Sequence, residues 1–178
     1  MNSHTLQWLL LIVPWLTLLF MKKDDVKRFM PVGLLTALSS AIIGEIGSTL
    51  QFWRIGETVF PFSHTATFSY GAVPVAAMWV FKFTYERFWL YVATNAILDA
   101  GFAYMIFPWL VSVGILSFVR SSFIVYAINW GHQMILYGYQ MWQDDIFTQK
   151  TTAGTMGIHV QPATAKPLPV ERNSQDKK

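Results

Sequence analysis

The chain has 178 residues, of which 53% are hydrophobic, 16% aromatic and only 13% charged, and its mean hydropathy is +0.37. Soluble domains carry about 25% charged residues, so a chain this short and this apolar cannot hide its apolar segments in one soluble core. We therefore predict a membrane protein. The absence of cysteine excludes disulfides, thiolate zinc sites and cysteine nucleophiles, and the net charge of +3 decides little by itself.

Four apolar stretches meet or approach the length of about 20 residues that a membrane-spanning helix needs. These predicted spans are Leu6–Met21, Phe29–Trp53, Phe68–Phe83 and Phe88–Leu110. A cleaved signal peptide is the alternative for the first, but its basic residues would precede the apolar run, whereas KKDDVKR follows it. We expect Pro31 in the first turn of the second span and Pro108 at the end of the fourth.

The region from Val111 to Trp142 is too long for one span and too short for two. We predict a short interfacial or re-entrant piece, Val111–Arg120, followed by a fifth span, Ser122–Trp142. After about Phe147 the chain becomes polar and rich in Pro and Thr, which is typical of a disordered tail.

The positions of lysine and arginine predict the orientation of the spans, because basic residues concentrate in cytoplasmic loops. With five spans and the N-terminus outside, eleven of the thirteen basic residues lie on the cytoplasmic side, and only Arg54 and Arg120 face out. Five tryptophans fall near predicted span ends, as in an aromatic belt. They are Trp8, Trp53, Trp89, Trp109 and Trp142. The predicted fold is all-α: a five-helix transmembrane domain (1–145) and a disordered cytoplasmic tail (146–178).

Several polar residues fall at membrane depth on this map. Asn95 and Asp99 are one helical turn apart on the fourth span and share a face. The fifth span carries a polar stripe at steps of three, four and seven, with His132 beside it: Ser122, Tyr126, Asn129, Gln133 and Gln140. The candidate intramembrane site comprises Glu45, Asn95, Asp99, Arg120, Asn129, His132 and Gln133. A central carboxylate costs about 2.5–3.5 kcal/mol on insertion scales, so both acids should avoid lipid.

Two interpretations of this cluster stay open. Intramembrane ionisable residues are functional candidates, here for a proton relay or for an ion or small-molecule site. Alternatively, the polar groups hydrogen-bond across helices and fix their packing, at about 0.6 kcal/mol for each bond. On the second span, Ser40, Gly44 and Ser48 at four-residue steps predict a close helix contact.

The order of these features resembles a family of small, uncharacterised multi-spanning membrane proteins of spore-forming Gram-positive bacteria. The features that carry the resemblance are a basic turn ending in KRFMP, a second span with a late acid, a proline-interrupted third span, a YER turn and a fourth span containing NAILDAGF. The resemblance covers about residues 6–142. It implies a bacterial cell membrane and a compact helical bundle, with no established activity.

Three functions remain in competition, since no nucleotide-binding, zinc-protease or serine-hydrolase motif is present in the sequence. The first, which we favour from the sequence because it has no catalytic motif and a small-residue helix face, is a non-enzymatic membrane protein that assembles with itself or with a membrane partner. The second is a small proton-coupled transporter or channel. The third is an intramembrane enzyme acting on lipid, with Asp99 and His132 as acid and base. We expect the lipid bilayer as a partner, and no cofactor, metal or nucleic acid.

Overall fold

The computed structural model describes residues 3–62 and 66–155, with the backbone alone for Phe118 and residues 146–155. The chain divides into two compact units, Met1–Trp142 and Gln143–Lys178. The described residues are mostly helical, as predicted. Their α-helices are α1 (Ser3–Thr17), α2 (Lys23–Thr49), α3 (Ala72–Thr84), α4 (Phe88–Gly101), α5 (Phe107–Ser112) and α6 (Ser122–Thr155).

Three helical stretches among the described residues are long and apolar enough to cross a membrane: Ser3–Phe20, Lys23–Thr49 and Phe88–Ser112. They correspond to the first, second and fourth predicted spans, and they indicate association with a membrane. The third predicted span is α3, which has only 13 residues. The fifth lies in α6, whose polar stripe lowers its hydropathy.

A proline and a glycine shape the contact between α1 and α3. Pro14 has no N–H, so the carbonyl of Leu10, one turn earlier, loses its helical hydrogen-bond donor. Gly71 precedes α3 and approaches this carbonyl so closely that a Cβ on Gly71 would overlap it. Nearby, the indole N–H of Trp15 donates to the carbonyl of Tyr70 (3.0 Å). The start of α3 therefore lies directly against α1.

The second helix begins at Lys23, well before the predicted start at Phe29. Asp24 and Asp25 occupy its first turn, where carboxylates interact favourably with the helix dipole. Pro31 is consequently inside the helix and not in its first turn, so that expectation was wrong. The helix α2 therefore begins with a charged segment, and its apolar part follows.

The packing of α2 on α3 depends on a second glycine. A Cβ on Gly33 would lie 2.7 Å from Met78 Sδ, so only glycine allows this approach. Met78 is fully buried with Phe29, Val32 and Phe81 in one hydrophobic cluster. One face of α3 is therefore packed tightly against α2.

The fourth helical stretch changes its hydrogen-bond register before Pro108. The residues Phe102–Ile106 are π-helical, and the N–H of Phe107 donates to the carbonyl of Phe102. The widened turn accommodates a proline that cannot donate to the carbonyl four residues earlier. We expected Pro108 to end the helix, and this was wrong. The helix continues past it, and α5 extends to Ser112.

The segment Val111–Arg120, which we predicted to be an interfacial or re-entrant piece, contains a strand. After a turn at Gly114, which has φ of +82°, β2 (Leu116–Val119) pairs antiparallel with β1 (Trp53–Ile55). The pairing joins the loop after α2 to the loop before α6. One more bond extends it, because the N–H of Arg120 donates to the carbonyl of Phe52 (2.7 Å).

The sixth helix begins at Ser122, as predicted for the fifth span. It extends to Thr155, beyond the predicted start of the disordered tail at residue 146. The rest of the predicted tail, residues 156–178, lies outside the described residues.

Candidate functional site

The helices of the first unit enclose a cavity of about 340 Å³. Most of its walls are apolar or aromatic side chains. Its polar lining residues come from α2, α4, α6 and the 3₁₀ turn before α3: Ser40, Ser69, Asn95, Asp99, Asn129, His132 and Gln133. Five of the seven predicted site residues, Asn95, Asp99, Asn129, His132 and Gln133, thus meet at one cavity.

Asp99 is the acid of this cavity. It lies near the middle of the 25-residue helical stretch Phe88–Ser112 and is 6% exposed. Its Oδ2 atom is buried and has no hydrogen-bond partner among the described residues. Buried polar atoms are nearly always paired, so an unpaired carboxylate oxygen on a residue that lines a cavity marks a candidate binding group.

Asn95 is one helical turn before Asp99, as the spacing predicted, and also lines the cavity. Its side-chain N–H donates to the carbonyl of Tyr91 on its own helix (2.9 Å). The amide therefore bonds within α4, and no hydrogen bond joins it to Asp99 in the described structure.

His132 also lines the cavity and is hydrogen-bonded to α2. Its Nε2 atom lies 2.6 Å from the hydroxyl of Ser39. The same hydroxyl lies 2.6 Å from the carbonyl of Leu35 on its own helix. A hydroxyl has one proton, and donation to Leu35 leaves its oxygen free to accept. The geometry fits a His132 ring that carries its proton on Nε2 and donates it to Ser39.

A third link joins α4 to α6. The hydroxyl of Tyr91 donates to the backbone carbonyl of Gln133 (2.9 Å) and approaches its side-chain oxygen (3.1 Å). The ring of Tyr91 is fully buried and lies 4.8 Å from that of Tyr137. Cross-helix bonds beside the cavity are therefore supplied by tyrosine, serine and histidine, and Asp99 takes no part in them.

The π-helical segment begins three residues after Asp99, and Phe102 and Ile106 from it line the cavity. Single π-helical turns are frequent at functional sites. Here the altered register determines which side chains after Asp99 face the cavity.

Glu45 does not reach the cavity, contrary to the expectation that both acids meet inside the bundle. The packed face of α2 includes Val32, Gly33, Thr36 and Gly47. Glu45 follows Thr36 by about two and a half helical turns, which places it on the opposite side, and it is exposed.

Arg120 is also exposed and lies outside the cavity, at the end of β2. Neither Glu45 nor Arg120 is therefore available to pair with Asp99 or His132. Ser40 and Gly44, which predicted a close helix contact, line the cavity instead. The tight contact at this end of α2 is between Gly47 and Trp53, where a Cβ on Gly47 would overlap the indole.

Sequence reasoning missed three residues of the site. Trp53 was placed in the aromatic belt but is buried, lines the cavity and donates its indole N–H to the carbonyl of Gly44 (3.2 Å). Ser39 and Tyr91 were not singled out. For Ser39 the spacing offered a signal. It is three residues after Thr36 and therefore lies near the packed face of α2.

No protein-family model, curated protein or solved structure matches this chain. Its function must therefore be inferred from the cavity and from the residues that surround it.

Proposed function

We propose that the protein is a multi-pass protein of a bacterial cell membrane that takes a small amphipathic molecule into the cavity and couples its movement to protons, as a small transporter or channel. In this proposal α3 and α6 complete five crossing segments, with the N-terminus outside. Asp99 and His132 are the groups that exchange protons, since both line the cavity.

The unpaired carboxylate oxygen of Asp99 carries this proposal. A group that only fixed helix packing would hydrogen-bond to a neighbouring helix. Asp99 Oδ2 has no such partner among the described residues, although Tyr91–Gln133 and Ser39–His132 bonds form close by. Ionisable groups at the centre of a spanning helix are costly and usually mark ion or substrate pathways.

Proton flux in proteoliposomes tests the proposal. Wild-type protein should dissipate an imposed pH gradient, and Asp99→Asn, which has the same shape and cannot ionise, should not. Asp24→Asn is the matched control, because Asp24 is exposed in the first turn of α2 and far along the chain from the cavity residues of that helix. Equal flux in wild type and Asp99→Asn would refute the role of Asp99.

A second candidate, assembly with another copy of the chain, is favoured by the exposed face of α2. Glu45 lies on this face among Leu38, Ile42 and Ile46, all of which are exposed. A carboxylate surrounded by apolar side chains avoids lipid if a second copy covers it. Five crossing segments are few for a carrier, and a dimer would have twice as many.

The natural absence of cysteine makes this second candidate simple to test. A single Ile42→Cys variant should form a disulfide-linked dimer in the membrane on mild oxidation. Ile97→Cys, on the exposed face of α4, is the control position. Dimers from Ile97→Cys and none from Ile42→Cys would exclude the α2 face as the contact.

A further inference from the structure

The charge of the cavity lining suggests which class of molecule the cavity accepts, and this step rests on the proposed function. Among the described residues that line the cavity, Asp99 is the single carboxylate, no lysine or arginine is present, and His132 is hydrogen-bonded to Ser39 of α2. Arg120 is exposed and is not one of the residues that line the cavity. A buried carboxyl group avoids an uncompensated charge either by holding a proton or by pairing with a cation. A ligand with a positive centre can therefore replace the proton of Asp99 and pair with the carboxylate.

Aromatic rings surround the same space. Phe102 is three residues after Asp99 and lines the cavity with Trp53, Phe68 and Phe107. Their rings contact each other edge-on, with 6.0 Å between the centroids of Trp53 and Phe107 and 6.0 Å between those of Phe68 and Phe102. Aromatic faces attract organic cations, more strongly where water is excluded.

Part of the cavity wall also lies on the outer surface of the helical bundle. Leu98, Ile106 and Trp109 line the cavity and are 50%, 45% and 45% exposed, respectively. All three lie on the Phe88–Ser112 stretch, which is long enough to cross a membrane. A molecule that reaches Asp99 between these side chains passes through lipid and must itself be soluble in the bilayer.

We propose that the cavity binds a lipophilic organic cation, with its positive centre at Asp99 and its apolar groups against the aromatic walls. An inorganic cation is a poorer fit, because calcium and magnesium need several oxygen ligands or retained waters, and the walls are mostly apolar. A neutral amphiphile would leave the carboxylate unpaired.

Calorimetric titration in detergent with two matched probes tests this. Methyltriphenylphosphonium is a cation, and triphenylphosphine oxide is a neutral molecule of nearly the same shape. Wild-type protein should bind the cation at least about tenfold more tightly, the order expected for one additional desolvated charge pair. Asp99→Asn should bind both probes about equally, and the exposed control Asp24→Asn should behave as wild type. Partition of each probe into the micelle is the same for every variant.

A cavity-filling variant separates the possible failures. Ala76 lines the cavity and is exposed, so Ala76→Phe adds bulk there without displacing buried neighbours. If wild type binds both probes equally, and Ala76→Phe binds neither, the cavity is a binding site but its preference for cations is refuted. If Asp99→Asn keeps the preference, Asp99 is not its cause and the proposal is overturned. If wild type binds neither probe, the proposed small-molecule site itself is refuted. The comparison of probes on wild type stands even if Asp99→Asn does not fold.

Discussion

His132 on α6 and Ser39 on α2 share a hydrogen bond, with 2.6 Å between Nε2 and the hydroxyl oxygen. The bond restrains the histidine ring beside the cavity and joins two residues that are 93 positions apart in sequence. Since the hydroxyl can donate to Leu35 at the same time, both partners are satisfied without Asp99.

We therefore predict that Ser39 and His132 are energetically coupled. Ser39→Ala and His132→Ala should each lower the free energy of unfolding, and the double mutant should lose less than the sum. The coupling energy should be about 0.6 to 1.7 kcal/mol, the range measured for hydrogen bonds between membrane helices. Ser40→Ala, at the neighbouring cavity serine, is the control and should show no coupling to His132 in the same denaturant titration.

A second prediction concerns Gly71. Because its Cβ would overlap the Leu10 carbonyl, Gly71→Ala should lower the unfolding free energy by more than about 1 kcal/mol, as overpacking does. Gly138→Ala is the matched control, since nothing lies within 4 Å of its Cβ position in α6. That substitution should be neutral or stabilise by about 0.5–1 kcal/mol. Thermal unfolding in detergent measures both, and equal effects would contradict the contact between α1 and α3.

The third prediction concerns orientation in the membrane. Glu86→Cys, in the turn between α3 and α4, should react with a membrane-impermeant maleimide only from the cytoplasmic side. Ser117→Cys, in β2, should react only from outside, because the basic residues favour this orientation. Both positions are exposed, and the chain has no cysteine of its own. Labelling of both from one side would contradict the five-span arrangement.

The sequence was sufficient to predict the helices and much of the site, because apolar runs and polar spacing depend on local geometry. The one-turn step from Asn95 to Asp99 and the stripe containing Asn129 and Gln133 correctly placed these residues on cavity faces. Depth along a helix, however, does not determine the direction in which a side chain points. Glu45 was expected inside the bundle but lies on the exposed side of α2, because the packed side of α2 depends on where α3 lies.

The sequence also failed to predict the strand pair and the helix that continues past Pro108, and here the reason is different. β1 and β2 have three and four residues, too few to show an alternating pattern, and their pairing joins loops that are distant in sequence. The π-helical register before Pro108 offsets the cost of the proline, which a rule based on proline alone cannot foresee.

Reaction with an apolar carbodiimide tests most directly whether Asp99 is accessible in the cavity. A protonated carboxyl adds to the carbodiimide and rearranges to a stable N-acylurea, which mass spectrometry of peptides locates. In membranes, we expect modification of Asp99, its loss in Ala76→Phe, and protection by methyltriphenylphosphonium. The exposed Glu45 serves as an internal control for reagent access. Modification of Glu45 without any at Asp99 would show that the cavity is closed and would contradict a functional site there.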